Sequence, residues 1–111
     1  MKIISKNNRI YFNDEDKSFI NITTNSKTNS AFIDLVKVVP EYRNNKLATN
    51  LMNKVLNYIK SKGFNIVSLN PLPLDQDGLN LNQLIKFYKK FDFLQSAKKD
   101  ISYPYLMSRI I

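Results

Sequence analysis

Ala31-Phe32-Ile33-Asp34-Leu35-Val36-Lys37-Val38-Val39-Pro40, running on into Glu41-Tyr42-Arg43-Asn44-Asn45-Lys46-Leu47-Ala48-Thr49-Asn50-Leu51-Met52, is where the chain changes its period. The stretch up to Val39 is β-branched and almost continuously apolar, the pattern of a central strand buried on both faces. Pro40 ends it, because proline has no N–H to give to a ladder. From about Asn44 or Asn45 to Lys62, Leu47, Leu51, Val55 and Ile59 recur at every fourth residue, and Met52, Leu56 and Tyr58 widen the stripe, so this segment reads as an amphipathic helix. Gly63 stands where a left-handed C-terminal cap is expected. Phe64 to Leu69 reads as a second buried strand. A strand–helix–strand crossover of this length makes the two strands parallel.

Outward from this unit the signals are shorter. Ile3-Ile4 and Arg9 to Phe12 are strand candidates, and Asn13-Asp14-Glu15-Asp16 is a hairpin turn leading into an alternating strand from Ser18 to Thr23. Asn70 to Asn80, with Pro71, Pro73 and Gly78, reads as a loop. A second helix is expected from about Leu81 to Phe91, with Leu81, Leu84, Ile85, Tyr88 and Phe91 on one face. Phe93 to Ser96 and Tyr105 to Ile111 read as a closing antiparallel hairpin around Lys98-Lys99-Asp100. Strands, helix, strand, helix and hairpin make a mixed α/β (α+β) layer fold.

At 111 residues the chain has the size of a single domain, 1–111. Area scaling predicts about 6,300 Å² of folded surface, so about two-thirds of the chain's surface can be hidden. No cysteine excludes disulfides, thiolate metal cages and cysteine nucleophiles. No histidine excludes zinc sites of the usual kind and Ser-His-Asp chemistry. Asp75-Gln76-Asp77-Gly78 lacks the remaining ligands of a calcium loop, and no metal site is read. The net charge of +8 permits a polyanionic partner, yet the fourteen lysines and three arginines are scattered along the chain. No apolar run reaches the ~20 residues of a membrane span and no signal-peptide core is present, so a cytoplasmic location is expected.

The turn from Val38 to Thr49 carries the chemistry. A strand ends, a polar turn follows, and a helix starts with backbone N–H groups that have no intrahelical partner. Those donors and the positive end of the helix dipole hold phosphates. Arg43 and Lys46 add charge, Thr49 adds a hydroxyl, and the small Ala48 lets a ligand approach the backbone. Neither common nucleotide loop is present, since the chain's glycines are Gly63 and Gly78.

These residues resemble the GNAT superfamily of acyl-CoA-dependent N-acetyltransferases. Its acyl-CoA signature is a strand ending in V-x-P, then [QR]-x-x-G-x-[GA] opening a helix. Val38-Val39-Pro40 and then Arg43-Asn44-Asn45-Lys46-Leu47-Ala48 match it at Arg43 and Ala48. Phe87-Tyr88-Lys89-Lys90-Phe91-Asp92-Phe93 is similar to the family's F-Y-x-x-x-G-F helix, and Tyr105 to Arg109 to its closing strand. The resemblance covers roughly residues 31–111. Lys46 and Asp92 depart from it, each replacing a glycine. The first of these suits the fold if its φ is ordinary and its side chain turns outward or onto phosphate. The helical pair that commonly walls the acceptor side has no counterpart between Ile4 and Arg9.

The resemblance implies a GNAT-like, mostly antiparallel sheet with a splayed parallel strand pair, two main helices and a shortened N-terminal region. It implies transfer of an acetyl group from acetyl-CoA to an amine by direct attack in a ternary complex, with no metal. Arg43, Asn44, Asn45, Lys46, Leu47, Ala48 and Thr49 would bind the diphosphate. Val36, Lys37 and Val38 would offer backbone groups to the pantetheine arm, and a bulge would free one N–H for the thioester oxygen. Tyr88 would protonate the departing thiolate, a role a neutral phenol suits. The residues themselves identify no general base: Asp34 is the best-placed carboxylate by strand position, Asp75 lies on the loop after the second parallel strand, and water chains could take the proton instead. Asn80 or Asn82 is a further candidate cofactor contact, although capping is the commoner role for either. The acceptor is open among polyamine, aminoglycoside, protein N-terminus and lysine, and a homodimer is one way to complete its wall. Two rival readings stand beside this one. The first is a catalytically degenerate binding module, motivated by Lys46 and Asp92. The second is a basic nucleic-acid-binding protein, motivated by charge alone.

Overall fold

A computed structural model describes residues 1–43, 46–73, 78–97 and 100–111. Three antiparallel strands, β1 (Lys2–Lys6), β2 (Arg9–Asp14) and β3 (Ser18–Asn25), lead to β4 (Ser30–Val38). A 3-10 turn (Pro40–Tyr42) follows, then α1 (Leu47–Ser61), β5 (Ile66–Leu69), α2 (Leu81–Lys89), β6 (Leu94–Gln95) and β7 (Met107–Ile110). The strands form one sheet in the order β1-β2-β3-β4-β5-β7-β6. Among the described residues β4 and β5 run parallel, over Ser30–Ile33 and Ile66–Leu69, and the other strand pairs are antiparallel.

Both helices lie on one face. Ile10 and Phe12, Ile20 and Ile22, Ala31 and Ile33, Val67 and Leu69, and Met107 are in register across the sheet and point inward. They join Leu51, Met52, Val55, Leu56 and Ile59 of α1 and Tyr88 of α2 in one core. Two crossovers of the same hand, stepping the same way along the sheet, place both helices on the same side. The opposite face carries Tyr11, Phe19, Thr23, Phe32, Ser68 and Ser108, and no helix among the described residues covers it.

Several expectations need correction. β5 and the first half of β4, Ser30 to Ile33, alternate between buried and half-covered positions because the outer face has no helix, and from Asp34 to Val38 no residue of β4 is buried; neither strand is buried on both faces. The first helix begins at Leu47 rather than Asn44 or Asn45, since Lys46 takes a left-handed conformation just before it. The closing hairpin shrinks to Leu94–Gln95 against Met107–Ser108, with Lys98 and Lys99 outside the described residues. Gly63 behaves as expected at φ +87 after α1. Between Lys6 and Arg9 the chain makes a tight turn, with Asn7 at φ +55, so no helical pair intervenes.

Candidate functional site

The site is built on a register fault. Leu35 lies opposite Asn21 and Ile33 opposite Ile22, so Asp34 is an extra residue in β4 with no partner on β3. This bulge bends the strand as its parallel pairing ends, since β5 pairs only as far as Ile33. From Asp34 to Val38 the β5-facing edge of β4 is open. Val39 N–H donates to Lys17 C=O at 2.9 Å, which fixes the alternation of the ladder. Lys37 and Leu35 therefore turn their backbone groups to β3, and Val36 and Val38 turn theirs to the open edge. The expected backbone role of Lys37 is thus corrected, and its side chain is exposed. One of the edge groups is taken: the Val38 carbonyl accepts from Arg43 Nε at 3.2 Å.

The open edge faces a groove of about 690 Å³ between the diverging strands. Asp34, Val36 and Val38 form one wall, with Arg43, Lys46, Leu47, Ala48 and Thr49 closing one end. α1 starts without a side-chain cap, and its first intrahelical bond runs from Asn50 N–H to Lys46 C=O at 3.0 Å. The N–H groups of Leu47, Ala48 and Thr49 have no intrahelical acceptor and lie at the groove. Asn44 and Asn45, expected in this turn, fall outside the described residues, as do Asp75, Gln76 and Asp77.

Lys46 is exposed at φ +59, so the first condition set for it, an ordinary φ, is not met, while the second, a side chain turned outward, is. Asp92 is at φ +66. Both residues that replace signature glycines keep the left-handed backbone for which glycine is favoured.

α2 supplies the opposite wall through Gln83, Leu84, Phe87 and Tyr88. Asn80 caps it: Gln83 N–H donates to Asn80 Oδ1 at 2.9 Å, and Asn80 N–H donates to Gln83 Oε1 at 2.9 Å. Asn82 is exposed and does not line the groove, whereas Gln83 and Phe87 of the same helix do. The sequence hides Gln83 behind its capping pattern and Phe87 behind its apolar character. Tyr88 is 7% exposed, between the Phe87 and Phe93 rings at 5.3 and 6.1 Å. Burial in this aromatic shell pushes its hydroxyl up to about 12. No hydrogen bond to that hydroxyl occurs among the described residues. Asp34 is exposed at the bulge, with Oδ2 accepting from Thr23 Oγ1 at 2.6 Å.

A strand edge opened by a bulge, beside an uncapped helix start and a buried phenol, is the geometry the two motifs imply. Residues 8–93 match the sequence profile described as the acetyltransferase (GNAT) family. The chain belongs to the GNAT family. Acetyl transfer is the chemistry of that family. No curated relative matches by sequence. Among solved structures, the anti-CRISPR protein AcrVA5 is similar with a TM-score of 0.73 and 20% identity, over 91% of this GNAT chain and 97% of AcrVA5. The PaiA N-acetyltransferase of Thermoplasma acidophilum, solved with coenzyme A, has a TM-score of 0.67 and 18% identity, over 93% of this chain and 60% of that one. An aminoglycoside 6'-N-acetyltransferase, also with coenzyme A, has a TM-score of 0.69 and 16% identity, over 92% and 71%. At these identities the likeness is one of fold. This GNAT chain has no helix long and apolar enough to cross a membrane among its described residues.

Proposed function

We propose that this chain, as one domain over 1–111, transfers an acetyl group from acetyl-CoA to an amine acceptor in a ternary complex, in the cytoplasm. The observation that carries the reading is the open β4 edge after the Asp34 bulge, facing the same groove as the start of α1. An extended pantetheine arm would add to that edge as a short strand, through Val36 and the Val38 N–H. The diphosphate would sit on the N–H groups of Leu47, Ala48 and Thr49, with Arg43, Asn44, Asn45 and Lys46 completing the turn. Coenzyme A in two structurally similar acetyltransferases supports this choice of ligand.

An N–H of β4 released by the bulge is suited to polarise the thioester oxygen. The amine lone pair forms the new N–C bond, the C–S bond breaks, and the electron pair stays on sulfur. Tyr88 gives its proton to that sulfur and recovers one from solvent, and Asp34 or water takes the proton lost by the amine. Because burial holds the Tyr88 proton up to about 12, the donor stays loaded at neutral pH. Holding donor and acceptor together supplies much of the rate gain. Calorimetry with acetyl-CoA tests the reading: micromolar binding is expected, and no heat at millimolar ligand would sink it in favour of a degenerate module.

A further inference from the structure

Asp34 belongs to two cavities. Besides the groove, it lines a wider depression of about 910 Å³ on the outer face of the sheet, with Thr23, Asn25, Lys27 and the rings of Phe32 and Tyr103. We infer that this depression receives the acceptor, and that the acceptor is a lysine side chain carried on an acidic stretch of polypeptide. The inference rests on the acetyl-CoA reading above.

The first argument is enclosure. Sites for small molecules bury 70–90% of the ligand's surface. Here no residue lining the depression is buried, and its floor is the sheet face without a helix. Such a surface holds poorly to a free small amine, while a polypeptide brings additional contact area with the reacting group.

The second argument is the chemistry at the bottom. Asp34 Oδ2 accepts from Thr23, and Oδ1 has no hydrogen bond among the described residues, so one carboxylate oxygen is open to an ammonium. Phe32 and Tyr103 pack at 5.1 Å with their planes tilted by 48°. Together they offer an aromatic wall to an alkyl stem and its terminal cation.

The third argument is the charge around it. Lys6 lies opposite Arg9, Arg9 opposite Thr23 and Thr23 opposite Phe32, so one row across the outer face runs from two cations to the aromatic wall. Lys27 is in the lining itself. None of Lys6, Arg9 and Lys27 has an ion-pair partner among the described residues. The acidic turn at Asp14 to Asp16 is at the far end of the β2–β3 hairpin. A polyamine or amino sugar carries several positive charges, of which Asp34 meets one and the rim repels the rest. A lysine between acidic neighbours satisfies both.

The test uses the full chain with acetyl-CoA and four acceptors: a blocked peptide with one lysine between glutamates, its counterpart between arginines, spermidine and tobramycin. Free thiol and acceptor mass are the readouts. The glutamate-flanked peptide is expected to be acetylated on its lysine Nζ, with kcat/KM at least about tenfold above the other three. Arg9→Glu with Lys27→Glu is expected to abolish that preference. Tyr103→Ala is expected to raise KM for the peptide by about tenfold while leaving the acetyl-CoA Kd unchanged. If acetyl-CoA binds but the glutamate-flanked peptide is not acetylated, or another acceptor is used as well or better, the inference fails alone. If acetyl-CoA does not bind, the underlying reading fails with it.

Discussion

Lys46 holds φ +59 without the help that a short polar side chain gives Asp92 at φ +66. The left-handed conformation costs an L-residue roughly 1–2 kcal/mol, and glycine's extra freedom in the unfolded chain offsets part of any gain. Lys46→Gly is therefore expected to stabilise the fold by about 1 kcal/mol, raising Tm by roughly 4 °C, and Asp92→Gly by less. Thermal denaturation of both variants decides it, and a loss of stability at Lys46→Gly would show that its side chain holds the turn. Tyr88 is the other residue whose environment decides its behaviour. Tyr88→Phe is expected to lower kcat by about a hundredfold with little change in acetyl-CoA Kd. An unchanged kcat would remove Tyr88 from the chemistry. The same variant has a stability signature. The folded hydroxyl titrates near 12 and the unfolded one near 10, so the proton is bound more tightly in the folded chain. The resulting stability is intact below pH 10 and is lost as pH rises from 10 towards 12, at roughly 1 kcal/mol per unit. Urea titrations at pH 9 and pH 11 are expected to show a smaller drop for Tyr88→Phe than for the parent.

At the scale of elements, the site depends on where β4 stops being an ordinary strand. Removing Asp34 leaves Ile33 opposite Ile22 and makes Leu35 the next residue opposite Asn21, an unbroken antiparallel ladder with the same residues inward. A chain lacking Asp34 is thus expected to fold with stability within about 1 kcal/mol of the parent. Its β4 edge, no longer bent away from β5, should bind acetyl-CoA at least tenfold more weakly. Circular dichroism, urea melts and calorimetry measure the two halves of this expectation, and undiminished acetyl-CoA affinity would refute the role of the bulge. That bulge was not legible in Ala31 to Val39, because seven apolar residues interrupted by Asp34 and Lys37 read as one strand with or without an extra residue. The parallel β4–α1–β5 unit was legible, since the fourfold spacing from Leu47 to Ile59 and the cap at Gly63 are local signals. The turn at Lys46 was legible as a place but not as a conformation, because a lysine gives no sign of left-handed backbone. Lys37 and Asn82 were misplaced for a related reason: whether a residue faces a groove depends on ladder parity and helix phase, which single positions do not reveal.

For the molecule as a whole, the uncovered sheet face explains an area that composition alone does not. The folded surface is 7,486 Å², about a fifth above the roughly 6,300 Å² that scaling gives for this mass. A one-sided core leaves the sheet's outer row, with Arg9, Thr23 and Phe32, open to solvent. The charge is distributed over this enlarged surface with little internal compensation. The ion pairs among the described residues, Lys17–Glu15 at 3.3 Å and Lys54–Asp14 at 3.4 Å, are surface contacts of the kind that contribute little. Self-repulsion of a +8 chain should therefore dominate its response to salt. Raising NaCl from about 0.05 M to about 0.5 M shortens the Debye length from more than 10 Å to less than 5 Å, and is expected to raise Tm by a few degrees. The same screening weakens attraction between the helix start, Arg43 and Lys46 and a bound diphosphate, so acetyl-CoA affinity is expected to fall over that range. Opposite signs in the two measurements are the distinguishing result. A Tm that falls with salt would mean that the surface pairs outweigh the net repulsion, and an affinity indifferent to salt would mean that phosphate is not held at the start of α1.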